Sequence, residues 1–211
     1  MYLPPAFRED RLEVQHDLIR AHPLGMLITA GPGGLLANTI PFLVYSDGDK
    51  GTLRAHVARA NAQWKELSAV TECLVVFQGA QSYITPNWYP TKQETHKVVP
   101  TWNYITVQVR GRPRAVEDAN WLLRQITDLT NAQEARQPAP WKVADAPADF
   151  VAAQIQAIVG IEIPIDRIEG KWKVSQNRNE ADRKGVVAGL TAQGEASAAM
   201  ARSVAERIKP V

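Results

Sequence analysis

Alternating apolar and polar residues predict short β-strands in the first half of the chain. The clearest stretch runs from Trp102 to Val109, where Ile105 and Val107 share one face with Asn103. Further strands are predicted at Leu24–Ala30, Leu35–Tyr45, Thr52–Val57 and Cys73–Gln78. Turns rich in glycine separate the earlier strands, so we expect hairpins and an antiparallel sheet.

Apolar residues recur with helical spacing near the N-terminus and through most of the second half. Helices are predicted at Asp10–Ala21, Asn61–Leu67, Glu117–Glu134, Ala148–Val159, Asn179–Leu190 and Glu195–Ile208. One more strand is expected at Gly160–Ile168, and Lys171–Ser175 extends it. Short antiparallel strands with appended helices predict a mainly β protein of the α+β class, built on a partly closed antiparallel β-barrel.

The length of the chain, 211 residues, is suited to one large domain. We therefore expect a single domain over residues 1–211. Its barrel core would span residues 23–175, with helices inserted at 117–159 and C-terminal helices at 179–208.

The segment from Tyr83 to Tyr104 is unusual because it combines many aromatic rings with prolines. Pro86, Pro90 and Pro100 should forbid a helix here and are unfavourable in a central strand, so a loop is predicted. An ordered aromatic loop between strands usually forms the wall of a site, which favours a ligand-binding or partner-binding surface. The alternative is a packed loop that covers one end of the barrel.

The charge balance of the chain gives no electrostatic reason to expect nucleic acid or a membrane as partner. Lysine and arginine number 24, aspartate and glutamate number 22, and the net charge is +2. No apolar run has the length of a membrane-spanning helix, and the N-terminus lacks the apolar core of a signal peptide. The single cysteine, Cys73, excludes an internal disulfide and suits a reducing compartment. We expect a cytoplasmic protein that does not associate with membranes.

Cations between Arg54 and Lys65 form a candidate anion site. Arg54 and His56 share one face of a predicted strand, and Arg59 follows in the turn. Lys65 lies near the start of a predicted helix, whose free N–H groups also attract anions. Arginine offers phosphate a bidentate fork and lysine a point charge, so these residues predict a phosphate cradle. A solvated turn with scattered cations is equally compatible with them.

Other motifs in the chain give weaker signals. The run Gly31–Gly34 precedes a strand and lacks a following Gly-Lys pair, so a hairpin turn is predicted. The run Arg110–Arg114 resembles the core of an AT-hook, but it follows a strand, which favours exposed arginines at a strand end. The histidines and the cysteine show no metal-ligand spacing, and no nucleophile elbow is present. We predict no metal site, and no catalytic residue is assigned.

Several longer blocks of the sequence together resemble one protein family. HPLGMLIT, HVARANAQWK and FQGAQSYITPNWYPTK are followed by VVPTWNY, GKWKVSQNR and DRKGVVAGL. These blocks span His22 to Leu190 and resemble the PaiB-type FMN-binding transcriptional regulators. The resemblance implies a split β-barrel of the pyridoxamine-phosphate-oxidase kind with FMN as cofactor. It also implies a homodimer with flavin sites at the subunit interface, and a negative regulator whose further partner is DNA.

The resemblance also implies which residues surround the flavin. In related split barrels the isoalloxazine lies along the second strand, which here carries Asn38, Thr39, Ile40 and Pro41. The phosphate meets the strand, turn and helix that follow, which here carry His56, Val57, Arg59, Asn61, Trp64 and Lys65. A last set of residues would contact the edge of the flavin ring or reach the flavin from the partner subunit: Trp102, Asn103, Lys173 and Gln176. The implied phosphate position agrees with the cradle inferred from the cations.

The chain departs from this family at one position on the second strand. Members commonly carry a histidine just before the Ile-Pro-Phe sequence, whereas this chain has Thr39. Threonine supplies a small hydroxyl in place of an imidazole. We therefore expect flavin affinity or flavin chemistry to differ from that of the family.

Two other functional classes, and a structural dimer without a ligand, are also compatible with the sequence. A flavin-dependent oxidoreductase would need a cleft that admits substrate to the flavin N5. A haem-binding or haem-degrading protein is the second class, because related split barrels handle haem. No DNA-reading element is visible in the sequence, so we expect any DNA binding to be weak and non-specific.

Overall fold

The computed structural model describes residues 1–208 and shows an α+β fold. Its strands are β1 (Arg8–Glu9), β2 (Leu24–Gly31), β3 (Gly34–Pro41), β4 (Leu43–Tyr45), β5 (Thr52–Ala58), β6 (Cys73–Ile84), β7 (Thr101–Gly111), β8 (Arg114–Val116), β9 (Ile158–Pro164) and β10 (Arg167–Lys173). Its α-helices are α1 (Leu12–Ala21), α2 (Thr91–Thr95), α3 (Ala119–Glu134), α4 (Ala148–Gln156), α5 (Glu180–Ala192) and α6 (Glu195–Glu206). Short 3-10 helices occupy Pro5–Phe7, Ala62–Ala69, Pro86–Trp88 and Val143–Asp145. The expected mixture of antiparallel strands and appended helices is confirmed.

The chain forms two compact units, whose boundaries fall partly within β6 and β7. The first unit comprises Met1–Gln15, Gln78–Val107 and the chain from Glu169 onward. The second unit comprises His16–Phe77 and Gln108–Ile168. The predicted single domain ends at residue 211, so its last three residues lie outside the described part of the chain.

The second unit contains a four-stranded sheet with the order β4-β5-β9-β8. Alternation along β5 buries Leu53, Ala55 and Val57 on one face. The opposite face of β5 carries Arg54 and His56, which are half-buried. Strand β5 thus contributes apolar side chains to the core and polar side chains to the helix-covered face of the sheet.

Helix α3 packs on that polar face of the sheet. A Cβ at Gly160 would lie 2.3 Å from the ring of Trp121, so glycine is needed for this close approach. The Trp121 indole donates to the buried Glu162 carboxylate at 3.1 Å, and Arg54 and Arg114 pair with the same carboxylate. Burial alone would raise the pKa of Glu162. The hydrogen bonds from Arg114 and Trp121 and the nearby positive charges outweigh burial, so the pKa lies below its usual value.

Strands β2 and β3 form a hairpin, with Leu24 opposite Pro41 and Gly31 opposite Gly34. Gly34 follows the turn with φ of 99°, a left-handed conformation that glycine adopts without a Cβ clash. The hairpin belongs to a second sheet, in which the strand order is β7-β6-β2-β3. Strand β3 is therefore an edge strand of this sheet. The predicted hairpin and its glycine turn are confirmed.

The first unit has the strand order β1-β10-β7-β6 and carries the helical hairpin of α5 and α6. The buried Glu9 carboxylate pairs with Arg11 at 2.6 Å and with Arg207 at 2.7 Å. These bonds connect the N-terminal strand to the end of α6. Hydrogen bonds from Arg11 and Arg207 outweigh burial and lower the pKa of Glu9 to about 2.

The aromatic segment contains short helices that its prolines were expected to forbid. Pro86 begins the 3-10 helix Pro86–Trp88, and Pro90 is the N-cap of α2. A proline at the start of a helix loses no hydrogen bond, because the first N–H groups of a helix have no partner within it. The expectation of a segment without helix is therefore wrong, although the stretch before β7 that contains Pro100 has no regular structure.

Two segments predicted as continuous strands are divided between the sheets. The expected strand Leu35–Tyr45 forms β3 in one sheet and β4 in the other, since Pro41 cannot donate to a strand ladder. The expected strand Gly160–Ile168 and its extension Lys171–Ser175 instead form β9 and β10. Strand β7 ends at Gly111 and is followed by the exposed Arg112 and Arg114, as expected, but the short strand β8 that begins at Arg114 was not predicted.

Candidate functional site

Strand β3 presents its predicted flavin residues on two faces. Asn38 donates from Nδ2 to Oε1 of the buried Gln63 at 2.9 Å. Gln63 in turn donates to the Thr29 hydroxyl at 3.0 Å. Ile40 lies buried on the same side of the strand as Asn38, whereas Thr39 points to the exposed side. Asn38 is therefore held by the 3-10 helix Ala62–Ala69.

The exposed face of the β2–β3 hairpin is apolar around Thr39. Thr39 lies opposite Met26, which is 44% exposed. Leu24 and Leu35 on the same face are 62% and 79% exposed. Large apolar side chains exposed together on one sheet face are unusual for a solvated surface and mark a binding surface.

His56 and Val57 lie next to each other on β5 but face opposite sides of the sheet. Nδ1 of His56 is 2.7 Å from Oε1 of Gln125 on α3. Val57 is buried in the core on the other face. His56 is thus positioned by a glutamine of α3, which no pattern in the sequence identified.

Arg59 is already engaged by an acidic residue and by two backbone carbonyls. Its Nη1 donates to Glu117 at 2.5 Å, and its Nε donates to the carbonyl of Gln156 at 3.0 Å. Its Nη2 donates to the carbonyl of Ile158 at 3.2 Å. The Trp64 indole donates to the carbonyl of Arg59 at 2.9 Å. Each of the three guanidinium nitrogens of Arg59, a residue expected near the phosphate, therefore already has a partner in the protein.

Asn61 and Lys65 lie at the start of the 3-10 helix. Oδ1 of Asn61 accepts from the backbone N–H of Gln63 at 2.9 Å, which confirms the predicted cap, although the helix is 3-10 rather than α. The Lys65 side chain is exposed and forms no ion pair or hydrogen bond within residues 1–208. Arg54 is paired with Glu162, so Lys65 is the unpaired cation among Arg54, Arg59 and Lys65.

The two sides of the 3-10 helix face different parts of the second unit. Gln63 bonds to the β2–β3 hairpin, and Glu66 packs against Gly31 and Gly33 of the same hairpin. Trp64 and Lys65 instead line a cavity of about 620 Å³ beside β8. The predicted site residues of the second unit are therefore distributed on both sides of this helix.

In the first unit, Trp102 and Asn103 point in opposite directions from β7. Trp102 is 54% exposed and its ring meets that of Tyr83 edge to face, with centroids 6.1 Å apart. Asn103 is buried and donates from Nδ2 to the Ser175 hydroxyl at 2.9 Å. The aromatic segment is therefore not fully packed against the protein, because the Trp102 ring remains partly exposed.

Lys173 and Gln176 are both held by hydrogen bonds within the first unit. Nζ of Lys173 donates to the Thr101 hydroxyl at 2.5 Å and to the carbonyl of Trp102 at 2.6 Å. Burial lowers the pKa of Lys173. The Gln176 side chain bonds to the backbone of Trp172 and accepts from the N–H of Val174 at 2.8 Å. Gln176 therefore fixes the turn after β10.

Within residues 1–208 the structure contains no cluster of acidic, histidine or cysteine side chains that could hold a metal ion. None of the helices in that range is long and apolar enough to cross a membrane.

The family model described as "Putative FMN-binding domain" matches residues 1–167. The chain belongs to this FMN-binding family. An uncharacterised protein of Emericella nidulans is 37% identical over 98% of this chain and 97% of its own length. The protease synthase and sporulation protein PAI 2 of Bacillus subtilis is 28% identical over 89% of this chain and 87% of its own length. The resemblance to PaiB-type proteins is confirmed.

The structure of the FAD and heme binding protein from Mycobacterium smegmatis shares the fold of this FMN-binding chain. Its TM-score is 0.59 at 15% identity, and the match covers 79% of this chain and 73% of that one. A likeness at this identity shows the fold alone. The expected split-barrel fold is confirmed.

FMN is the cofactor of this family, and the residues of the second unit fit it. Lys65 is an unpaired cation next to the N–H groups at the start of the 3-10 helix, which suits a phosphate. The apolar face around Thr39 and Met26 suits a flat, largely apolar ring system. When bound, FMN would supply redox-active flavin chemistry, and these residues would bind and orient it.

Proposed function

We propose that this protein is a homodimeric FMN-binding regulator that represses transcription, with the flavin ring held along β3. The observation that carries the proposal is the exposed apolar face around Thr39 at the edge of the sheet. Strand β3 has a strand partner on one side only within the described chain. Peptide groups along its other edge are therefore open to hydrogen bonds with the pyrimidine edge of the flavin.

The proposal places the phosphate of FMN at the start of the 3-10 helix. Asn61 caps this helix, and Lys65 provides a positive charge that no carboxylate neutralises in the described structure. Arg59 has a supporting role, because its bonds to Glu117 and to two carbonyls hold the turn in place. A phosphate is thus bound by Lys65 and by backbone N–H groups.

The proposal assigns a second copy of this chain to the apolar face of the hairpin. A homodimer contact uses the same patch on both subunits, so a sheet face can cover its own copy. Leu24, Met26 and Leu35 are exposed enough to lose substantial contact with water in such a dimer. Trp102 and Tyr83 expose further rings on the first unit, which suits contact with a partner subunit.

The regulatory role is supported by the family relationship. The relative from Bacillus subtilis is named for protease synthase and sporulation, which suits an effect on the synthesis of other proteins. FMN would then be the ligand whose occupancy or redox state is sensed.

The direct test is the absorption spectrum of purified protein with and without added FMN. We expect bound flavin, seen as a shifted and structured visible spectrum with quenched fluorescence. A Soret band after addition of haem, with no response to FMN, would instead support the haem-binding alternative. No spectral response to FMN would count against the proposal.

A further inference from the structure

A cavity between helices α3 and α4 has features of a second ligand site. It measures about 710 Å³, within the usual range for pockets that bind small molecules. Leu123 and Thr127 line it from α3, Ala152 and Ile155 line it from α4, and Val143 lines it from the segment between the helices. These residues belong to one compact unit and differ from those proposed to contact FMN.

The sequence of α4 explains why the cavity is open. Residues with the spacing i, i+3, i+4 and i+7 form one stripe of this helix and line the cavity: Ala148, Val151, Ala152 and Ile155. Because Ala148 and Ala152 are small, they leave space on the side of α4 that faces α3. Val143 and Ile155 are buried, so they form an apolar floor. The two helices are therefore separated by a groove where larger side chains would pack.

One end of this groove is polar. Asn131 lines it near the C-terminal end of α3, and Lys142 lines it from the segment that follows. The carboxylate of Glu134 accepts from the backbone N–H of Trp141 at 3.0 Å, which brings Lys142 to this end of α3. Leu123 lies at the other end of the groove, about 12 Å from Asn131 along the helix axis.

Lys142 gives the polar end a positive charge. Its side chain is exposed and forms no ion pair within residues 1–208. It is the only charged residue among those of the described chain that line the cavity. The neighbouring carboxylates of Glu134 and Asp145 accept hydrogen bonds from backbone N–H groups instead. A ligand that complements this groove has an apolar body and a negatively charged head.

We infer that the groove between α3 and α4 binds a carboxylate with a straight apolar chain, of the fatty-acid class. The chain lies between the alanines of α4 and Leu123 of α3, and the carboxylate lies at Lys142. Most of the affinity comes from burial of the chain, because an exposed ion pair contributes little. The inference does not depend on where the flavin binds.

Calorimetric titration of the protein with decanoate, below the concentration at which decanoate forms micelles, tests the inference. We expect one decanoate per chain, with or without added FMN. Ala152→Phe fills the groove, so it should weaken decanoate by about tenfold or more. Ala153→Phe is the matched control and should leave binding unchanged, because Ala153 is also exposed on α4 but lies outside the lining.

Decanol, which has the same chain without the charge, tests the role of Lys142. Lys142→Ala should weaken decanoate by about two- to fivefold and leave decanol unchanged. Lys97→Ala controls for net charge and should change neither, since Lys97 is exposed in the other unit. Equal losses of decanoate and decanol in Lys142→Ala would overturn the assignment of a carboxylate.

Absence of decanoate binding, or equal losses in Ala152→Phe and Ala153→Phe, would overturn the inference. Sedimentation velocity identifies the alternative occupant of the groove, a second copy of this chain. If Ala152→Phe changes the oligomeric state and decanoate does not bind, the groove is a subunit contact and the inference is wrong.

Discussion

Lys65 and Arg59 carry the same charge but have different surroundings, which decides their roles. Arg59 is paired with Glu117, whereas Lys65 is unpaired in the described chain. Lys65→Ala should therefore weaken FMN by about tenfold and leave riboflavin, which lacks the phosphate, nearly unchanged. Arg59→Ala should weaken FMN and riboflavin to the same extent, because it loosens the turn. Fluorescence titration of both flavins measures these effects.

Lys97→Ala is the control for loss of a lysine charge, since Lys97 is exposed and lies in the other unit. If Arg59→Ala weakens FMN but not riboflavin, and Lys65→Ala weakens neither, then Arg59 and not Lys65 is the main phosphate ligand. The sequence indicated a cluster of cations here but could not show which of them is free. Glu117 is 58 residues away from Arg59 in the chain, and only the folded structure brings the two together.

Glu9 predicts an acid-dependent loss of stability. Its folded pKa is about 2 against an ordinary 4.5, so its stabilising effect is complete above about pH 4.5 and is lost as pH falls towards 2. Glu9→Gln should lower the free energy of unfolding by about 3 kcal/mol at pH 7, and by much less near pH 2. Urea unfolding at both pH values measures this.

The exposed Glu206 offers a matched control for Glu9 in the same unit. Glu206→Gln should change the free energy of unfolding by less than about 0.5 kcal/mol at either pH. A Glu9→Gln effect that is equally large at pH 7 and near pH 2 would mean that packing, not the charge of the carboxylate, is responsible.

Among the elements, the β2–β3 hairpin carries the proposed dimer interface. Met26→Lys places a charge on the apolar face, so it should convert the dimer to a monomer at micromolar concentration. Phe150→Lys is the control, because Phe150 is 55% exposed on α4 and lies outside this face. Sedimentation velocity of the parent and both variants measures the change. A monomeric parent, or an unaffected Met26→Lys dimer, would contradict the proposed interface.

The hairpin also illustrates how far elements could be predicted. Alternation and glycines located β2, β3 and their turn, because these signals are local. Alternation does not show whether the second face of a strand meets solvent, a helix or another subunit. The assignment of β3 and β4 to different sheets depends on pairing with distant strands, so it could not be read from the local pattern.

At the scale of the whole molecule, the fold class followed from the patterns, whereas the FMN assignment required the longer sequence blocks. Strand alternation and helix spacing predict an antiparallel α+β protein, but many functions use such a fold. Family-specific blocks such as HVARANAQWK identified FMN, and the match over residues 1–167 agrees with them. A short helix at Asn61–Leu67 was predicted, but its 3-10 type and the different contacts of its two sides were not, because they depend on distant parts of the chain.

The net charge of +2 predicts weak DNA binding by the isolated protein. Few phosphate contacts release few counterions, so the slope of log affinity against log salt should be smaller than about 3 in magnitude. Fluorescence anisotropy with a duplex of arbitrary sequence, at several salt concentrations, measures the slope. A steep slope or tight sequence-specific binding would contradict this prediction.

We propose that each chain holds FMN by its ring along β3 and by its phosphate at the start of the 3-10 helix. Parallel fluorescence titrations of the parent protein with FMN and riboflavin test it most directly. We predict one FMN bound per chain, with riboflavin bound about tenfold or more weakly because it lacks the phosphate. Equal affinity for the two flavins, or no binding of either, would contradict the claim.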